Sequence, residues 1–244
     1  MIPSKEWLEK YEQVKNKLVP GTDLNAYFTQ KEIAGKKLEI MDIGPVDFPS
    51  GELIVCDPLA YIDRKLLPYI QKVPSGEYTV KVCVIVPDES GDCARYAAAG
   101  VEFSKEVAVR YEEALVGIED LNDFEEGNYF GFNVDAGLGC IVDRVVRDAY
   151  CDFEEKWMKE NPEGNTYDDY FSDIFEECYK NNPQYQRNGG DWINWTVPGT
   201  DYRIPMFASG FGDGAYPVYM GYDSKGNVCN VVIEFIDIPL AYDK

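Results

Sequence analysis

Between Tyr78 and Val84 the apolar residues occupy every second position, with Thr79, Lys81 and Cys83 between them, and the run stops at Pro87. Only a strand sends alternate side chains to one face, so this segment predicts a half-buried β-strand. The same period recurs along most of the chain. Leu38–Ile43 and Glu52–Cys56 read as strands flanking the turn signal Pro49-Ser50-Gly51. Ala97, Ala99, Val101 and Phe103 alternate within Asp92–Phe103, although so much alanine would also suit a helix, and Val107, Val109 and Tyr111 continue the pattern. Tyr129–Asp135 and Gly139–Asp143 predict short strands, and so do Trp192–Val197, Ile204–Ser209, Tyr216–Tyr222 and Val228–Ile236. Asp223-Ser224-Lys225-Gly226-Asn227, between the last two, is a hairpin signal in which Gly226 is free to take positive φ. Strands do not alternate regularly with helices, which argues against a doubly wound parallel sheet.

Helical period appears in three places. Ser4 precedes Trp7, Leu8, Tyr11, Val14 and Leu18 on one face and caps a first helix that ends at Pro20-Gly21. A short second helix is expected over Leu24–Ile33, stopping near Gly35. Late in the chain Val145, Val146, Ala149, Tyr150, Phe153 and Trp157 share one helical face, and Tyr170, Phe171, Ile174, Phe175 and Cys178 share another. Thr166 is the expected cap of that second stripe, with Asp169 three residues on. The fold class that follows is α+β: a mainly antiparallel, sandwich-like β core with an N-terminal helix and an inserted helical pair. In domain terms, residues 1–37 form an N-terminal helical segment and 38–244 one β-rich domain with the helical insertion at about 143–180.

The 244 residues carry a formal net charge of −21, unevenly spread. Residues 1–72 are nearly neutral, while 148–177 hold eleven acidic and two basic residues. The loop Val116–Asn128 adds Glu119, Asp120, Asp123, Glu125 and Glu126. Such a field repels nucleic-acid phosphates and anionic membranes and attracts cations or a basic protein. Apolar residues make up 45% of the chain, so wholesale disorder is not expected. No apolar run approaches the ~20 residues that span a bilayer. The charged start, MIPSKEWLEKYEQVKNKL, has no signal-peptide core, and the expected compartment is the cytoplasm. The seven cysteines include no C-x-x-C and no zinc-ligand spacing, which fits buried free thiols.

There is no histidine. Ser-His-Asp and Cys-His catalysis, imidazole bases and histidine-ligated metals are therefore excluded. Any chemistry must come from carboxylates, thiols, lysine, tyrosine or a hard cation such as Mg²⁺ or Ca²⁺. Two Gly-Asp stretches concentrate the candidates: Val134-Asp135-Ala136-Gly137-Leu138-Gly139-Cys140 with Asp143 beyond it, and Gly210-Phe211-Gly212-Asp213-Gly214 followed by Tyr216 and Tyr219. Neither opens a helix, so neither is a phosphate-binding glycine loop. Spaced glycines permit sharp turns, and Asp213 between two of them can accept backbone N–H bonds there. Asp57, in Cys56-Asp57-Pro58-Leu59, ends a strand at a proline as turn-capping aspartates do. The candidate binding residues are Asp57, Asp135, Asp143, Asp213, Tyr216 and Tyr219, and a metal would have to be held by Asp135, Asp143 and Asp213.

These stretches in their order resemble the bacterial domain-of-unknown-function family 4241. The matching pieces are Gly51 through Leu59, Pro74–Val80, Ala94–Ser104, Val134–Cys140 and Ser209–Tyr219 with the hairpin behind it, so the resemblance covers Leu38–Phe235. It implies a compact domain with Gly-Asp turns as its hallmark, and it carries no activity, cofactor or catalytic residue. The acidic helical pair is less typical of the family and reads as a local elaboration. Two functions stay open: a non-catalytic acidic interaction module, such as an immunity or inhibitor protein steered to a basic partner, and a hydrolase dependent on carboxylates or a divalent metal.

Overall fold

The computed structural model describes residues 3–88 and 93–243. The alternating run forms strand β4 (Gly76–Ile85), third in a seven-stranded sheet. In order, the sheet is β1 (Glu32–Ile33), β2 (Lys36–Phe48), β4, β5 (Arg95–Glu102), β13 (Val228–Glu234), β12 (Val218–Tyr222) and β6 (Arg110–Glu113). A four-stranded sheet runs β3 (Leu53–Cys56), β8 (Leu138–Asp143), β10 (Arg203–Ala208) and β9 (Trp192–Thr196). A ribbon pairs β7 (Phe132–Val134) with β11 (Gly214–Tyr216). Every pairing between these strands is antiparallel, in keeping with the α+β expectation.

The layers follow from which residues each face buries. Leu53, Val55, Ile141 and Phe207 point from the four-stranded sheet into the core shared with the seven-stranded sheet. On its other face Ile54, Cys140, Val142, Trp195 and Met206 lie under helices α3 (Arg144–Glu160) and α4 (Ser172–Asn181). The four-stranded sheet is thus covered on both sides. Strands β3 and β8 are buried at every position, so their side chains depart from the period of two expected along the chain.

Several boundaries differ from expectation, each for a local reason. Helix α2 (Leu24–Thr29) ends early, because Ala34 and Gly35 at φ 45° and 74° form a two-residue hairpin turn that pairs β1 with β2. Val107 and Val109 precede β6 and are 68% and 67% exposed. The chain must cross β13 and β12 to get from β5 to the far edge, so 104–109 is a crossover and no strand. The expected start of the β5 strand, Asp92, lies outside the described residues. Thr166 is helical and does not cap. Asn165 accepts the Tyr167 N–H at 2.8 Å while Asp169 accepts the Asn165 N–H at 2.7 Å, a reciprocal box one residue earlier. A π-helical turn, Tyr167–Phe171, then leads into α4. A C-terminal helix, α5 (Ile238–Tyr242), was not anticipated, although Asp237 caps it by accepting the Leu240 N–H at 2.9 Å.

Other expectations hold. Ser4 caps α1 (Lys5–Val14) by accepting the Trp7 N–H at 3.1 Å. The acidic loop is pinned by Leu121 and Phe124, which pack with Leu18 and Leu115. Asp223 accepts N–H groups of Lys225 and Asn227 at 2.8 and 2.9 Å across the last hairpin, with Gly226 at φ 83°. No helix among the described residues is long and apolar enough to cross a membrane.

Strand β6 buries a carboxylate. Glu113 is 1% exposed and accepts N–H groups of Phe130 and Gly131 at 2.7 and 2.8 Å. Burial outweighs those two bonds and pushes its pKa up to about 7. Below the unfolded-state pKa of about 4.5 the group is protonated in both states and has no effect. As pH rises further, only the unfolded chain releases the proton, so stability declines until the folded pKa is passed. At roughly 1.4 kcal/mol per unit the decline is at most about 3 kcal/mol. Glu113→Gln is expected to flatten the loss of stability between about pH 4.5 and pH 7 in urea titrations. An unchanged profile would mean that the carboxylate is ionised in the fold.

Candidate functional site

Register brings the two Gly-Asp stretches to one end of the sheets. Strand β11 pairs Gly214 with Val134, and β10 pairs Ala208 with Leu138. The turn Asp135–Gly137 and the loop Ser209–Asp213 therefore lie side by side. The Ser209 N–H donates to the Gly137 carbonyl at 3.0 Å and links them. Within the second loop the Ser209 hydroxyl donates to the Gly212 carbonyl at 2.9 Å, and the Tyr216 hydroxyl donates to the same carbonyl at 2.7 Å. Gly210 has φ 51°, and a Cβ there would stand 2.9 Å from the Phe235 Cβ, so only glycine fits.

Asp57 lies beneath both loops, fully buried at the end of β3. One carboxylate oxygen accepts the Asp135 and Ala136 N–H groups at 3.1 and 2.6 Å, and the other accepts the Leu59 N–H at 3.0 Å. Its acceptor capacity serves the turn.

Above the loops is a cleft of about 710 Å³. Asp135 and Asp213 both line it and both are exposed. Neither carboxylate has an ion pair or hydrogen bond among the described residues. Asn165 and Tyr167, at the start of the π-helical turn that leads into α4, form another wall. Arg187 and Asp191 complete it, but they are committed to each other: the guanidinium donates to Asp191 at 2.8 and 2.6 Å. These four wall residues have no signal in the sequence, because only the packing of the helical pair carries them to the Gly-Asp loops.

Asp143 is elsewhere. It ends β8 at the opposite extremity from Leu138, about 17 Å away at ~3.3 Å per residue. Its buried carboxylate caps α3, accepting the Val145 N–H at 2.8 Å and the Ser50 N–H and hydroxyl at 2.9 and 2.7 Å. The three aspartates expected to share a metal are therefore not brought together. Among the described residues no group of three Cys, Asp or Glu side chains could hold a metal ion. Tyr216 supports the second loop from below, and Tyr219 is buried within the seven-stranded sheet. Nor is a thiol nucleophile exposed in the cleft. Cys56 and Cys140 face each other across β3 and β8 with sulfurs 3.6 Å apart, and their contact and burial push the Cys56 pKa well above the ordinary thiol range.

A family model described as "Protein of unknown function (DUF4241)" matches residues 46–233, more than three quarters of the chain. Neither a curated protein nor a solved structure matches.

Proposed function

Because the chain belongs to the DUF4241 family, whose description names no activity, we propose from the site itself that it is a non-catalytic acidic interaction module, of the immunity or inhibitor kind, for a basic protein. The observation that carries this reading is the pair of uncommitted carboxylates, Asp135 and Asp213, in a polar cleft that reaches the start of the second segment of the acidic helical pair. Arginine or lysine side chains of a partner would meet charge there without displacing an existing ion pair. Tyr167 lines the same cleft, and its ring would add a cation–π contact to such a side chain. The −21 charge would steer the encounter and make it salt-dependent.

Against the hydrolase alternative stands the position of Asp143, which caps α3 at the other end of β8 from Asp135 and so leaves only Asp135 and Asp213 of its three carboxylates in the cleft. Titration with a hexa-arginine peptide tests the interaction reading. Binding at about 50 mM salt is expected to weaken by roughly tenfold or more at about 300 mM, as exposed charges are screened. The Asp135→Asn, Asp213→Asn double variant is expected to weaken it severalfold while changing stability by no more than about 0.5 kcal/mol. Equal binding by the variant would remove the cleft from the interaction. Low-salt affinity capture from native host extract should then recover a basic protein, and its repeated absence would overturn the reading.

A further inference from the structure

A second concavity, of about 700 Å³, shares no lining residue with the Gly-Asp cleft. It is formed by the segment from Tyr61 to Tyr69, the Val116–Glu119 part of the acidic loop, and Phe130 to Asn133. The floor is apolar, with Val55, Ala114, Val116 and Phe132 contributing. The first wall is held from behind by Arg147, which is 4% exposed and donates to the carbonyls of Asp63 and Leu66 at 2.7 and 2.6 Å.

The polar groups on this surface divide into spent and unspent. The Glu119 carboxylate is spent through both oxygens and that of Asp63 through one. Asp63 accepts N–H groups of Lys65 and Leu66 at 2.7 and 2.8 Å, and Glu119 accepts those of Val116, Gly117 and Ile118 at 2.5, 2.9 and 3.0 Å. The donors are unspent. Tyr69 is only 7% exposed, yet its hydroxyl makes no hydrogen bond among the described residues. It is also not one of the fully enclosed unpartnered atoms, which are Glu112 Oε1, Trp192 Nε1, Asn194 Oδ1 and Asn230 Oδ1, so the hydroxyl keeps some accessible surface, and Tyr69 lines the concavity. The Lys65 ammonium and the Asn133 amide, on the same surface, likewise have no partner among the described residues.

We propose that this concavity binds a small uncharged molecule with an apolar body and a carbonyl-type acceptor. The apolar floor takes the body, and Tyr69, assisted by Asn133 or Lys65, donates to the acceptor. A mostly apolar hollow with a few convergent polar groups is the usual form of a small-ligand site. Burial and the nearby charges of Glu113 and Glu119 keep the Tyr69 phenol protonated far above neutral pH, so it acts as a donor. An anion would enter a strongly negative field beside Asp63 and Glu119. A cation would be drawn by that field to the one free oxygen of Asp63, but it would meet Lys65 and leave the Tyr69 and Asn133 donors unsatisfied.

Ligand-detected and amide-detected NMR titrations of the full chain test this, with acetanilide as the neutral probe and phenylacetate and benzylammonium as charged counterparts. Acetanilide is expected to bind saturably with a Kd of about 1 mM, the range of a ten-atom ligand. Tyr69→Phe, which keeps the ring and removes only the donor, should weaken it about fivefold. Val116→Phe should abolish binding by filling the hollow, with thermal unfolding confirming that the variant is folded. The proposal is overturned if acetanilide fails to saturate, if Tyr69→Phe binds equally well, or if either charged probe binds more tightly than acetanilide.

Discussion

Replacing Asp57 by alanine is expected to lower the unfolding free energy by about 3–5 kcal/mol, the larger of the effects anticipated among the acidic residues. The buried carboxylate receives three backbone N–H groups, from Leu59, Asp135 and Ala136. Alanine leaves all three donors without a partner in a dry environment, each costing roughly 1–3 kcal/mol before relaxation. Asp57→Asn keeps one carbonyl oxygen but turns an amide N–H₂ towards the remaining donors, so a smaller loss of about 1–3 kcal/mol is expected. Urea unfolding should show a lower midpoint at an unchanged slope, the signature of lost stability in an otherwise similar fold. A loss below about 1 kcal/mol for the alanine variant would mean that the turn holds without the carboxylate, and Asp57 would return to the list of binding candidates.

The second large effect concerns the helical pair. Trp195, 6% exposed on β9, meets the rings of Tyr150, Phe153, Tyr170 and Phe171 at centroid distances of 5.9, 5.0, 6.1 and 5.0 Å. Tyr150 and Phe153 come from α3, while Tyr170 and Phe171 come from the π-helical turn before α4, so one side chain joins both helical segments to the sheet. Trp195→Ala is expected to cost about 3–5 kcal/mol, the transfer term plus the cavity left behind. The loss should be local in hydrogen exchange: amides of residues 144–181 lose protection first, while those of β4 and β5, in the core on the opposite face, keep theirs. Equal loss across both regions would show that the two cores unfold as one unit.

The legible part of the fold lay in short-range signals. Ser4 marked a helix start, Tyr78–Val84 marked a strand, and Asp223–Asn227 marked a hairpin, because capping, alternation and turn geometry act within a few residues. Misreadings arose where a partner distant in sequence decided the outcome. Val107 and Val109 alternate properly, yet they lie on a crossover because β6 must reach the far edge of the sheet. The stretch after Thr29 continues a helical pattern, yet it turns into a hairpin because β2 offers it an edge.

The candidate site divides in the same way. Composition alone excluded histidine chemistry, and the Gly-Asp stretches were visible as turns that only glycine and aspartate form readily. Whether the aspartates met was a matter of strand pairing. Antiparallel register set Asp135 beside the Ser209–Asp213 loop, and the length of β8 carried Asp143 to the other end. The sequence by itself thus determined the locally signalled elements such as α1, β4 and the last hairpin, the negative field and the chemistries ruled out, since these depend on residue identity and near neighbours. Tertiary structure alone decided which carboxylates are spent on backbone groups and which remain open to a partner, since hydrogen-bond partners from Asp57 to Ala136 are set by the packing of sheets and not by spacing along the chain.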